Sequence, residues 1–240
     1  MSSIVVSDLA YSPPGAEQLF FDVSFTVSPG EHAVIVGVNG TGKSTILRIL
    51  SGEYEPDDGE FAVGGTFLTM TQDVGMSRPD MPLREMLITV APDVLRAAGT
   101  ALFAAERRML SGEDDGMAFA EALATWGDLG GYDLETQWAS SAQRSVKTPV
   151  TDFASRLVGE LSGGERKRLV LDLLLNSGAD VLLLDEPDNY LDIPTRRWLE
   201  EQLRACRSTV LMVSHDREVL DAVATKVITL EGSGCWVHGG

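Results

Sequence analysis

Apolar residues follow two different patterns in the first part of the chain. Between residues 21 and 27 every second residue is apolar, which predicts a half-buried strand. Residues 33–36 form a continuous apolar run, as expected of a buried strand. Further strands are predicted at residues 4–11, 61–63 and 66–71. This part therefore combines antiparallel strands with the start of a parallel α/β core.

The pattern changes between residue 81 and about residue 142. Leu, Ala, Met and Glu dominate there, and all four favour helices. Helices are predicted at residues 83–87, 93–110, 117–126 and 133–143, and loops that contain glycine separate the last three. A helical subdomain, residues 81–160, is therefore expected inside an α/β domain.

The last third returns to alternating helices and strands. Residues 169–175 are apolar nearly all round, which predicts a buried helix, and residues 181–184 predict a buried parallel strand. Further elements are predicted at residues 195–205, 209–213, 216–223, 227–230 and 235–237. The chain is thus expected to be one domain, residues 1–240, whose core comprises residues 1–80 and 161–240.

A glycine-rich segment lies between a predicted strand and a predicted helix. Its spacing is G-x-x-x-x-G-K-S/T, typical of a phosphate-binding loop, in which backbone N–H groups and a helix N-terminus face an anion. Lys43 would reach the β- and γ-phosphates, and Ser44 would ligate Mg²⁺. The flanking elements favour this over a glycine-rich turn with a surface lysine. The predicted binding residues are Gly37, Asn39, Gly40, Thr41, Gly42, Lys43, Ser44 and Thr45.

Two carboxylates follow the buried strand at residues 181–184. Ligand chemistry in open α/β sheets lies at the carboxyl ends of strands. Asp185 would hold Mg²⁺ through water, and Glu186 would orient or deprotonate an attacking water. Alone, the pair could be two solvated acids at a strand exit; the phosphate loop favours the catalytic interpretation.

A second glycine-rich turn precedes the buried helix. Ser162, Gly163 and Gly164 would expose N–H groups at the helix N-terminus and so form a second anion site. The same residues predict a capping box in which Ser162 caps the helix and Glu165 closes the box. The two interpretations are compatible.

These motifs occur in the order found in nucleotide-binding domains of ATP-binding cassette (ABC) proteins. The resemblance covers essentially all 240 residues, and its fold is a P-loop NTPase of ABC type. The chain most resembles the N-terminal nucleotide-binding domain of an actinobacterial-type protein of the ABC-F group, whose members are soluble and act on the ribosome. Three segments carry the likeness to this group: residues 130–135, 186–192 and 214–217.

The resemblance implies roles for four more residues. Tyr11 would stack on adenine, although a core aromatic at a strand end is the alternative. Gln72 would contact Mg²⁺ and the attacking water, unless it is a surface loop residue. His215 would touch the γ-phosphate and fix the geometry of the water and the base. Asp192 would lie at the interface of two nucleotide-binding domains.

Four positions do not follow the family pattern. Asp188 and Tyr190 replace the commoner Thr and His of the ABC-F motif, so local contacts are expected to differ there. His32 and His238 match no motif, and both are predicted to be surface residues.

Composition limits the possible binding partners and the cellular location of the protein. The net charge of −17 argues against a broad nucleic-acid-binding face. Neither an apolar run long enough to span a membrane nor a secretory signal is recognisable, and two cysteines make no disulfide framework. A cytoplasmic location is expected.

The resemblance implies binding and hydrolysis of ATP with Mg²⁺, coupled to the ribosome and the regulation of translation. The alternative is the motor subunit of an ABC membrane transporter. Residues 130–135 favour the ABC-F group, and a DNA-repair ATPase would carry coiled-coil heptads. The expected partner is a second ABC domain, in the same full-length chain or another copy, because Ser162 would face a nucleotide held there.

Overall fold

The computed structural model describes residues 3–74, 78–113, 116–146, 153–231 and 234–239. The chain forms two compact units, one of residues 1–72 and 174–240 and the other of residues 73–173. The helical unit therefore begins before the predicted residue 81 and ends after the predicted residue 160. It includes the glycine turn at Ser162, which sequence reasoning assigned to the core.

The strands and helices agree closely with those predicted. In the described part of the chain the strands are β1 (Ile4–Tyr11), β2 (Phe20–Val27), β3 (His32–Gly37), β4 (Asp58–Val63), β5 (Phe67–Met70), β6 (Val181–Asp185), β7 (Thr209–Val213), β8 (Lys226–Glu231) and β9 (Gly234–His238). The α-helices there are α1 (Lys43–Leu50), α2 (Leu83–Leu87), α3 (Asp93–Leu110), α4 (Met117–Asp128), α5 (Gly131–Ser145), α6 (Gly163–Leu175), α7 (Ile193–Ala205) and α8 (Arg217–Val223).

A six-stranded sheet forms the centre of the first unit. Its strand order is β5-β6-β7-β3-β8-β9, and every neighbouring pair is parallel except β8 with β9. Asp185, at the end of β6, is in register with Val213, at the end of β7. Residues that follow β6 and β7 therefore emerge side by side at one edge of the sheet, which is where ligands bind in such folds.

A three-stranded antiparallel sheet, in the order β2-β1-β4, completes this unit. The hydrophobic core contains inward residues of both sheets and of α1, among them Ile4, Phe20 and Ile46, all at most 1% exposed. The α/β class, the mostly parallel core sheet and the antiparallel subdomain are confirmed. Within the described ranges, no helix combines the length and the apolar character that a membrane crossing requires.

The helical unit has an aromatic core around Trp126, which is 0% exposed. Its ring centroid lies 6.3 Å from that of Phe103 and 6.4 Å from that of Trp138. The indole Nε1 donates a hydrogen bond to Glu135 Oε1 at 3.1 Å. A Cβ atom at Gly131 would lie 2.1 Å from this indole ring, so only glycine fits where α5 begins beneath it.

The prediction that both unmatched histidines lie on the surface is correct for His238 and wrong for His32. His32 is 7% exposed: it begins β3, an inner strand of the sheet, and its imidazole lies against the backbone of Ser208 and Cys206. Burial disfavours the charged imidazolium and lowers the pKa of His32, although backbone hydrogen bonds with Ser208 and Cys206 oppose this. Sequence reasoning missed the burial because a histidine at a strand start has no distinctive local pattern.

Candidate functional site

The glycine-rich loop connects β3 to α1, as the spacing predicts. Gly42 has φ of 93° and precedes the first residue of α1. A Cβ atom there would lie 2.6 Å from a ring carbon of Phe20, so both the backbone conformation and the packing require glycine. The N–H groups of the loop therefore lie at the N-terminus of α1, where an anion is stabilised.

Lys43 folds back over this loop. Its Nζ donates hydrogen bonds to the carbonyl oxygens of Gly37 and Val38, both at 2.9 Å. The side chain is buried, and loss of hydration lowers the pKa of Lys43, while the nearby carboxylates of Glu186 and Asp185 act in the opposite direction. A phosphate oxygen is a stronger acceptor than a carbonyl and would compete for the ammonium group.

Ser44 and Asp185 come together from distant parts of the sequence. The Ser44 hydroxyl donates a hydrogen bond to Asp185 Oδ1 at 2.9 Å. A hydroxyl and a carboxylate side by side suit Mg²⁺, which takes few protein oxygens and completes its shell with water and phosphate. Across the described residues, no three His, Cys, Asp or Glu side chains form a metal cluster, so a site built wholly from such ligands is not available there. The donor set fits Mg²⁺.

Glu186 is held by two amide side chains. Gln72 Nε2 and Asn189 Nδ2 both donate to Glu186 Oε2, at 2.8 and 2.9 Å. On the other side, His215 Nε2 lies 3.6 Å from Oε1. The structure thus brings together three predicted residues, Gln72, Glu186 and His215. It adds Asn189, which sequence reasoning missed although its place three residues after Glu186 suits a turn.

An open polar cleft of about 530 Å³ surrounds this carboxylate. It lies wholly within the first unit, and among the predicted site residues Asn39, Gln72, Glu186 and His215 line it. The phosphate loop adjoins the same carboxylates, because Asn39 lines this cleft together with Glu186, and Ser44, next to Lys43, donates a hydrogen bond to Asp185. The arrangement can hold a polyphosphate next to a base.

Tyr11 lies away from this cleft, in the hydrophobic core. It is 9% exposed, and its ring is parallel to that of Tyr54, with centroids 5.8 Å apart. This is the position expected of a core aromatic, the alternative considered from the sequence. Stacking of Tyr11 on adenine stays a prediction.

The second glycine turn belongs to the helical unit and forms the predicted capping box. Ser162 Oγ accepts a hydrogen bond from the Glu165 N–H at 3.3 Å, and Glu165 Oε2 accepts one from the Ser162 N–H at 3.1 Å. A Cβ atom at Gly164 would meet nothing within 4 Å, and the nearest atom to one at Gly163 is a guanidinium nitrogen at 3.6 Å. Neither glycine has a positive φ. No contact within the described chain therefore requires these glycines, and their predicted contact with a nucleotide stays a prediction.

Comparison with protein families finds a match to the family described as ABC transporter, over residues 20–189. An antibiotic resistance protein of Mycobacteroides abscessus is 44% identical over 100% of this chain. The tylosin resistance ATP-binding protein TlrC of Streptomyces fradiae is 38% identical over 90% of the chain. The energy-dependent translational throttle protein EttA of Mycobacterium tuberculosis H37Rv is 33% identical over 94%. The chain spans less than half of these relatives, 45%, 40% and 40% of their lengths.

Solved structures agree on the fold. An ATP-binding subunit of an ABC transporter superposes with a TM-score of 0.69 over 98% of this chain and 89% of its own, at 18% identity. A bacterial Atm1-family ABC exporter with ATP bound gives a TM-score of 0.67 over 99% of this chain and 38% of its own, at 20% identity. At these identities the likeness concerns the fold alone.

Proposed function

This chain belongs to the ABC transporter family, with relatives of the ABC-F type, and we propose that it binds Mg·ATP and hydrolyses it. The observation that supports this most is the environment of Glu186. Its carboxylate is oriented by Gln72 and Asn189 and lies in a polar cleft that Asn39 of the phosphate loop also lines. A base, a phosphate cradle and a pair of magnesium ligands are the parts that phosphoryl transfer to water needs.

In the proposed reaction the loop N–H groups and Lys43 bind the β- and γ-phosphates. Ser44 and Asp185 would hold Mg²⁺, which supplies positive charge to the phosphate oxygens. Glu186 accepts the proton of the attacking water through Oε1, or through Oε2 after the bond to Gln72 or Asn189 has broken. His215, whose Nε2 lies 3.6 Å from Glu186 Oε1, would contact the γ-phosphate and fix its distance from the base.

Substitution of Glu186 by Gln tests the base. The amide has almost the same size as the carboxylate but cannot accept the proton, so turnover should fall at least about a hundredfold while ATP binding persists. Phosphate release and equilibrium binding of labelled ATP measure the two properties. Glu201→Gln, the same change at an exposed position of α7, is the matched control and should hydrolyse ATP normally. Near-wild-type hydrolysis by Glu186→Gln would remove Glu186 from this role.

We propose that full activity also requires a second cassette. The glycines of the turn at Ser162 are not required by the chain's own packing, which leaves open space for an approaching phosphate. ATP should therefore convert Glu186→Gln from monomer to dimer in sedimentation velocity, and wild-type turnover per chain should rise with protein concentration. Fast turnover that does not depend on concentration would contradict the requirement.

We further propose that the whole protein acts on the ribosome, in the cytoplasm. Two relatives are named for antibiotic resistance and one for throttling translation, which supports this proposal over a transporter motor. Glu186→Gln should sediment with ribosomes in the presence of ATP and should not do so without nucleotide. Absence of ribosome binding, together with copurification of a membrane permease, would favour the transporter alternative.

A further inference from the structure

The loop that follows Glu186 contains a buried carboxylate that the chemistry above does not use. Asp188 is 7% exposed, and its Oδ2 accepts a hydrogen bond at 3.0 Å from the hydroxyl of Ser214, which is 0% exposed. A buried carboxylate is costly unless hydrogen bonds compensate for its lost hydration.

The partner of Asp188 lies directly before His215. Ser214 Oγ donates to Asp188 and also accepts a hydrogen bond from the N–H of Asp216 at 3.1 Å. Asp216 in turn accepts a hydrogen bond from Arg196 at 2.6 Å. The residues on both sides of His215 are therefore anchored, while its own imidazole extends to Glu186.

The same loop has an unusual backbone. Glu186 has φ of 48° and Tyr190 has φ of 61°, values that non-glycine residues adopt only where surrounding contacts maintain them. Asp188 lies between these two residues. Its bond to Ser214 connects the middle of this loop, after β6, to the end of β7, where Ser214 follows Val213.

We infer that Asp188 is a positioning residue, which acts through Ser214 to set the distance between His215 and Glu186. The two loops follow neighbouring strands, and a backbone hydrogen bond from the Glu186 N–H to the Val213 carbonyl oxygen at 3.0 Å joins them where the strands end. Beyond that point, side-chain bonds are needed to hold the loops at a fixed separation. Asp188 makes such a connection beside the two side chains that would face the γ-phosphate and the water. The inference rests on the proposed ATPase function.

The kinetic test uses Asp188→Ala, Ser214→Ala and the double variant. Each single change should lower kcat about tenfold or more and leave KM for ATP within about twofold. The reason is that a small misplacement of His215 and Glu186 weakens stabilisation of the transition state more than it weakens ATP binding. The double variant should be no worse than the poorer single one, since both remove one connection. Asp188→Asn keeps a carbonyl acceptor for Ser214 and should restore most of the turnover.

Ser177→Ala is the control variant. Ser177 also donates one hydrogen bond and accepts another, to the Leu174 carbonyl oxygen at 2.7 Å and from the Ala179 N–H at 3.1 Å, but it is exposed and lies after α6, outside the cleft. Its turnover should match that of the wild type. Additive losses in the double variant, or kcat within twofold of wild type for both single variants, would overturn the inference.

A second measurement does not depend on hydrolysis. The chain has three histidines, so the imidazole signals in a proton–carbon NMR spectrum can be assigned by substitution. Asp188→Ala should shift or broaden the His215 signal and leave those of His32 and His238 in place, and Asp188→Asn should return it. An unchanged His215 signal in Asp188→Ala would overturn the inference even if the protein hydrolyses ATP. Lack of wild-type hydrolysis would instead overturn the proposed function.

Discussion

Substitution of Gly131 by Ala tests how the helical unit is packed. An added Cβ would lie 2.1 Å from two ring carbons of Trp126 and 2.5 Å from its Nε1. Carbon atoms in contact are normally about 3.5–4.0 Å apart, so the ring or the start of α5 must move by roughly 1.5 Å. The change is one methyl group at a helix start, where alanine is otherwise better than glycine.

The indole has little room to move. Trp126 is fully buried, with Phe103 and Trp138 beside it, and a Cβ at Gly99 would already lie 2.9 Å from its far edge. Overpacking typically costs about 1–3 kcal/mol. A shift also weakens the bond to the charged Glu135, which is worth about 1.5–3 kcal/mol. Against these, the helix propensity of alanine contributes about 1 kcal/mol. The expected net loss is about 3 kcal/mol.

Urea unfolding followed by tryptophan fluorescence and near-ultraviolet circular dichroism measures this loss. Gly164→Ala is the control, because a Cβ there meets nothing within 4 Å and the residue lies in the first turn of α6. It should unfold at the same urea concentration as the wild type, or a higher one. If Gly164 faces the nucleotide of a second cassette, this stable variant should nevertheless lose turnover.

A double substitution separates the clash from any backbone effect. Trp126→Leu removes the ring that Gly131→Ala would meet, so in that background the glycine substitution should cost much less than it does alone. Gly131→Ala with wild-type stability would refute the packing argument. An equal cost with and without Trp126 would place the penalty in the backbone instead.

Three further predictions concern buried charged or titratable groups. Lys43→Ala should weaken ATP binding roughly 10- to 100-fold in isothermal titration calorimetry, because it removes a charged donor from the phosphate loop. Arg144→Ala should lower the free energy of unfolding by about 2 kcal/mol in urea, since its guanidinium pairs with buried Asp172. The loss is smaller than for a fully buried pair because Arg144 is half-exposed, and Arg144→Lys should lose less. The pKa of His32 is lower folded than unfolded, so the unfolded chain binds more protons and stability falls as the pH drops from ~6.5 through the folded-state pKa. The melting temperature of His32→Phe should depend less on pH over this interval than that of the wild type, and equal dependence would contradict the assignment.

Most elements of the fold could be predicted because they depend on short-range patterns. The first four residues of the buried strand Val181–Asp185 are all apolar. The helix Ile193–Ala205 begins two residues before the predicted Thr195, because the carboxylate of Asp192 caps it by accepting a bond from the Thr195 N–H at 2.9 Å. The helical unit extends over residues 73–173, beyond the predicted 81–160. The extent of a compact unit depends on packing between distant segments, which no local pattern records.

The residues of the candidate site also fall into those that the sequence predicts and those that only the structure reveals. The phosphate loop, Ser44, Asp185 and Glu186 were recognisable because their chemistry is carried by adjacent residues in a fixed spacing. The partners of Glu186 were only partly predicted. Gln72 and His215 came from a family resemblance, whereas Asn189 became visible only through its bond to Glu186 Oε2.

The sequence by itself determined the elements, the glycine-rich loop and the order of the motifs, since backbone propensity and motif spacing act over a few residues. Only the tertiary structure decided which side chains meet. Strand order and register place Ser214 against Asp188 and Ser44 against Asp185, 26 and 141 residues apart in the chain. The same packing buries His32 and seats Gly131 beneath Trp126. Such contacts depend on which distant segments come together. Hydrophobic burial and strand pairing determine this, and both involve the whole chain.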